Sequence, residues 1–140
     1  MAVPMELARE YLECYNARDW ERCRALIHPE FSYRGADGIV QRGPDVALQI
    51  MQMYANAFTD SEIVPERICP VGDDTAVIEF VGKGTHDGEF MGIKPTGRTV
   101  EVFVCTVLEF RDEKLWSEHE YIDGLAILSQ LGVVPELATV

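Results

Sequence analysis

Up to about residue 60 the apolar positions recur every three or four residues; beyond it they alternate. The change of period predicts helices first and strands afterwards. Ala8, Tyr11, Leu12 and Tyr15 make one stripe, with Leu7 and Cys14 at its edge, and predict a helix over 4–17. Pro4 opens it without loss, because the N–H it lacks would be unpaired in a first turn. Asp19 is placed to cap a second, short helix carrying Trp20, Cys23, Leu26 and Ile27. His28-Pro29 is expected to end that helix, with His28 donating to its last carbonyls, since the residue before proline avoids the α region. Short extended pieces at 31–34 and 39–41 flank Gly35-Ala36-Asp37-Gly38. Gly43-Pro44-Asp45 then opens a third helix reaching Phe58, with Val46, Ile50, Met53, Tyr54 and Phe58 facing inward.

The second half predicts an antiparallel meander with strands at 63–71, 75–86, 99–110 and 115–123. Gly72-Asp73-Asp74 and Asp112-Glu113 are tight-turn signals, and 88–97 is a longer loop. A last helix at 125–131 has Asp123 before it as a cap and Gly132 to stop it. Parity sorts the strand side chains. Ala76, Ile78, Phe80, Gly82, Gly84 and His86 share one face; so do Val100, Val102, Val104, Thr106, Leu108 and Phe110. In the last strand Trp116, Glu118, Glu120 and Ile122 share a face, so two carboxylates stand where the neighbouring strands are apolar. A buried carboxylate is costly unless paired or protonated, and a cavity holding polar groups makes the placement reasonable. Gly82 and Gly84 fit a strongly bent strand or leave room beside it.

Composition narrows the function classes. The chain of 140 residues is 47% hydrophobic and 26% charged, which fits one ordered domain over 1–140. A net charge of −12 repels phosphate backbones and anionic membranes, so neither a nucleic acid nor a membrane is the expected partner. No apolar run is long enough to cross a bilayer, and Met1 to Glu6 lacks the pattern of a signal peptide. Cys14, Cys23, Cys69 and Cys105 form no C-x-x-C pair and read as small hydrophobes in a reducing cytoplasm. No nucleotide-binding glycine pattern, nucleophile elbow or zinc-protease motif is present, and the histidines and acids make no recognisable metal set. The expected cofactor and metal are therefore none. Phe103, Cys105 and Val107 on the opposite face of the sheet predict a homodimer or higher homo-oligomer.

Several segments in order carry a likeness: Tyr15-Asn16, Ile27-His28-Pro29-Glu30-Phe31, Gly84-Thr85-His86-Asp87-Gly88, Gly92-Ile93-Lys94-Pro95-Thr96-Gly97-Arg98, and Asp123 followed by Leu128-Ser129-Gln130-Leu131-Gly132. On these the chain resembles the SnoaL-like polyketide cyclases of the nuclear transport factor 2-like superfamily. The resemblance implies an α+β cone: three N-terminal helices packed on a strongly curved, mixed but mainly antiparallel sheet that encloses a pocket. It also implies cofactor-free closure of a ring by intramolecular aldol condensation, with an acid on the last strand as general acid/base. Matching back from Gln130-Leu131-Gly132 places Glu120 at that acid. The sequence departs from the pattern with Glu rather than Asp there, and with Thr106 where a cavity His is expected.

The candidate catalytic residues are thus Glu120 and His86, the latter to bind a substrate carbonyl or orient Glu120. The candidate substrate-binding residues are Trp116, Glu118, Thr106, Phe80 and Tyr15. The expected function is acid/base catalysis on a small apolar carbonyl-bearing molecule. The alternatives are a non-catalytic small-molecule binder of the same fold, an isomerase or hydrolase-type relative, or a dimerisation domain with a vestigial pocket.

Overall fold

Pro4 opens α1 (Pro4–Asn16), and its apolar stripe buries Leu7, Ala8, Tyr11, Leu12, Cys14 and Tyr15. The structure, a computed structural model, describes residues 4–133; the ends of the predicted domain, 1–3 and 134–140, lie outside the described residues. Asp19 caps α2 (Trp20–Ala25) by accepting the Arg22 backbone N–H. Then follow β1 (Ile27–Arg34), β2 (Val40–Arg42), α3 (Pro44–Ala57), β3 (Glu62–Val71), β4 (Thr75–Thr85), β5 (Thr99–Arg111), β6 (Lys114–Ile122) and α4 (Gly124–Gln130). The six strands make one open sheet in the order β2-β1-β6-β5-β4-β3. All neighbours run antiparallel except β1, which lies parallel to β6. The fold is the α+β arrangement predicted from the sequence, with α1 over β3–β5 and α3 against β1.

Tight turns join β3 to β4 and β5 to β6, while a longer segment joins β4 to β5. Asp112 (φ 53°) and Glu113 (φ 60°) both adopt the left-handed conformation, which matches the twist of the β5–β6 hairpin. Asp123 caps α4 through the Ala126 N–H at 3.0 Å, and Gly132 (φ 77°) follows its end. The inner face of β4 and β5 is apolar as parity requires: Ala76, Ile78, Phe80, Val100, Val102, Val104, Leu108 and Phe110 are all buried. At Gly84 a Cβ would stand 3.0 Å from Phe58 Cβ and 3.1 Å from Ser61 Cα, so the missing side chain lets the α3–β3 corner lie on β4.

Three expectations are corrected. His28-Pro29 does not end a helix: α2 stops at Ala25, and both residues belong to β1. Pairing of β1 with β6 is irregular between Ile27 and Ser32, so the N–H that Pro29 lacks interrupts no regular ladder. His28 accordingly binds no helix carbonyl; its Nδ1 accepts the Glu30 N–H and its Nε2 lies 3.3 Å from Asp112.

On α3 one expected inward residue, Met53, faces outward, while Phe58 is buried and Val46, Ile50 and Tyr54 pack partly buried against the core. Ala47, Leu48, Met51, Ala55 and Ala57 are its buried residues. Alanines permit close approach to the sheet, which a reading weighted to large side chains overlooks. Finally, β6 does not keep one parity. Ser117 pairs with Glu109 and Leu115 with Phe110, leaving Trp116 in a bulge. Leu115 is thereby fully buried, and half-buried Trp116 is stacked under the Arg111 guanidinium, 3.5 Å from the ring centre.

Candidate active site

Between α1, α3 and the inner face of β4–β6 lies a cavity of about 120 Å³, roughly ten times what one water needs. Its walls are mainly apolar, with Ile50, Met51, Phe58, Phe80, Val102 and Val104 among them. Glu118 and Glu120 reach it from β6, Thr106 from β5, Tyr11 and Tyr15 from α1, and Tyr54 from α3. Regular alternation beyond the Trp116 bulge directs both carboxyls inward, as the sequence predicted. Lys83 is the one cation among the lining residues, and it is exposed at the β3–β4 edge.

Glu120 accepts a hydrogen bond from the Tyr33 hydroxyl at 3.0 Å. Burial pushes its carboxyl up to about 8, the nearby Glu118 adds to the rise, and the Tyr33 hydrogen bond opposes it. Glu118 is deeper, only 6% exposed. Its Oε1 accepts from Tyr11 OH and its Oε2 from Thr106 OH, both at 2.8 Å. Burial raises Glu118 as well, against those two donors. The phenols of Tyr11, Tyr33 and Tyr54 are raised in turn, first by burial and then by the charges of the two glutamates. They therefore remain O–H donors throughout the physiological range.

Of the residues singled out from sequence, the structure brings Glu118, Glu120, Thr106, Phe80 and Tyr15 together. Tyr15 turns its hydroxyl to Ser61 Oγ at 2.7 Å. Trp116 is not a wall residue, because the bulge displaces it. Neither is His86. It is fully buried beside Phe58 and Phe90, and its Nδ1 accepts the Thr96 N–H at 3.1 Å, which leaves the proton on Nε2. That contact ties the 88–97 loop to the end of β4, and no hydrogen bond joins His86 to either glutamate. Asn16 makes a reciprocal pair with the Ile63 backbone, accepting at 2.8 Å and donating at 2.9 Å, and so docks α1 on β3. Tyr11, Tyr33 and Tyr54 were not singled out for the site. Tyrosines on apolar stripes were the available signal, but the same positions suit core packing. Among the described residues no group of three or more His, Cys, Asp or Glu is disposed to hold a metal, and no helix is long and apolar enough to cross a membrane.

The family model of SnoaL-like polyketide cyclases matches residues 5–131. The aklanonic acid methyl ester cyclase AcmA of Streptomyces galilaeus is 26% identical over 133 residues, covering 94% of this chain and 92% of AcmA. Among solved structures, IdmH of Streptomyces antibioticus, provisionally assigned as a polyketide cyclase, superposes with a TM-score of 0.79 at 28% identity, over 93% of this chain and 99% of IdmH. A SnoaL-like protein from Jannaschia sp. CCS1 gives a TM-score of 0.83 at 22% identity, over 96% of this chain and 99% of its own, a likeness of fold.

Proposed function

Since the chain belongs to the SnoaL-like polyketide cyclase family, we propose that it closes a ring in a polyketide ester by intramolecular aldol condensation, with Glu120 as general acid/base. The observation that carries this reading is a carboxyl with a proton affinity near neutrality at the wall of an apolar cavity. Ionised Glu120 removes a proton from the carbon next to a substrate carbonyl. The enolate carbon attacks a second carbonyl of the same molecule, forming the C–C bond. The resulting alkoxide takes the proton back from Glu120. Substrate and product are isomers, and proton transfers suffice. Tyr33 holds the Glu120 carboxyl in place, while the apolar walls strengthen each hydrogen bond made inside.

The test uses aklanonic acid methyl ester, the compound named for the AcmA relative, followed by chromatography and mass spectrometry. A product of unchanged mass and new retention is expected, with kcat/KM rising with pH through a midpoint near about 8 as Glu120 ionises. A non-catalytic binder would instead hold the ester with the same affinity in Glu120→Gln and accumulate no product. We further propose pairing with a second copy through the outer sheet face, where Phe103 is 67% exposed; a monomer mass in solution at micromolar concentration would refute it.

A further inference from the structure

Glu118 has no task in the reaction just described, yet it is the deeper acid of the pair. Its surroundings differ from those of Glu120 in one respect. Two hydroxyls point at its two oxygens, Tyr11 from α1 and Thr106 from β5, whereas Glu120 receives Tyr33 alone. Donors favour the charged form of a carboxyl. The two glutamates are two positions apart on one face, about 6.6–6.8 Å along the strand. Thr106 stands opposite Glu120 in the ladder but turns its hydroxyl diagonally to Glu118, and fully buried Leu108 stands opposite Glu118 and keeps water away. The titratable groups facing the pair are Tyr11 and Tyr15 of α1, Tyr33 of β1 and Tyr54 of α3. On the far rim stand the exposed Glu62 of β3 and Lys83 of β4. No cation lies between the acids to neutralise either of them among the described residues.

We propose that Glu118 is a positioning residue: its carboxylate, held ionised by Tyr11 and Thr106, keeps the proton of the pair on Glu120. Like charges this close in an apolar site do not readily coexist, so one proton is shared and settles where fewer donors oppose it. Glu120 then rests as a protonated acid and becomes a stronger base once ionised. This assigns the deep acid a role without contact with substrate. Its value for catalysis rests on the general acid/base reading of Glu120, but its test does not.

The test is a carboxyl titration by 13C NMR on protein labelled at the glutamate side-chain carboxyl, with the Glu120 signal identified by its loss in Glu120→Gln. In Glu118→Gln, which keeps the size of the side chain, the Glu120 midpoint is expected to fall by about one to two pH units. That is the scale for unit charges at this spacing and an effective dielectric near 20. Tyr11→Phe removes one donor from Glu118 and is expected to move the Glu120 midpoint the same way by less, which covers the case of a misfolded Glu118→Gln. A Glu120 midpoint that stays in place or rises in the folded variants overturns the proposal. If the midpoints move as expected while Glu120→Gln retains full turnover, it is the acid/base reading that fails and the coupling that stands.

Discussion

Two acid pairs in this protein behave in opposite ways. Glu118 and Glu120 face the cavity, and burial raises both. Asp60 and Asp87 are exposed at the junction of α3, β3 and β4, and hydrogen bonds lower both. Asp60 accepts the Thr85 N–H at 2.7 Å and the Thr85 hydroxyl at 2.8 Å. Asp87 does the same with Thr59, accepting its N–H at 3.0 Å and also its hydroxyl. The crossed arrangement fastens the end of β4 to the turn after α3. Acids of the same charge thus hold protons more tightly where water is excluded, and act as staples where backbone donors and water surround them. The difference lies in the environment rather than in the residue type.

The largest expected effect separates the pairs by activity. Glu120→Gln should lower kcat/KM by about two to four orders of magnitude, the usual weight of a positioned acid/base. Asp60→Ala should leave it near the wild-type value, and equal losses would dissolve the distinction.

Stability against pH sharpens the comparison next. Glu120 moves from an ordinary 4.5 to about 8 on folding, so between those values the native state binds more protons than the unfolded chain. Its contribution is fully present below 4.5 and is lost as pH rises through about 8. The melting temperature of the wild type should therefore fall from pH 5 towards pH 8 or above, and Glu120→Gln should flatten that decline. Asp60 and Asp87 carry the reverse sign. Each contributes above its ordinary 3.8 and loses the contribution as pH falls through its lowered folded value. Asp60→Ala and Asp87→Ala should melt below the wild type at pH 6, by less than the Glu120 effect, and the gap should close in acid. The smallest effect tests a helix cap. Asp123 caps α4 through one backbone N–H, and Asp123→Ala should cost about 0.5–2 kcal/mol in urea denaturation.

Much of this comparison could be read from the chain before folding. Alternation of 76–86 and 100–110 placed the apolar face correctly, because a sheet leaves side chains only two directions. It placed Glu118 and Glu120 inward for the same reason. It failed at Trp116, since a bulge inserts one residue and reverses parity on one side of it. His86 lay on the predicted face, but the strand runs past the cavity before reaching it, and parity carries no information about position along a strand. The sequence does not assign Tyr33 and Tyr11 to the site, because they come from β1 and α1, which only the packed fold brings within reach of β6.

The sequence by itself determined the order of helices and strands, the inward side of β4 and β5, the caps at Asp19 and Asp123, and two acids on an otherwise apolar wall. Those features depend on local periodicity and on the chemistry of single residues. The tertiary structure decided which hydroxyls meet those acids, how far each acid is removed from water, and which of the predicted site residues reach the cavity. A proton affinity depends on charges and donors supplied by distant segments, and no spacing along one strand specifies them.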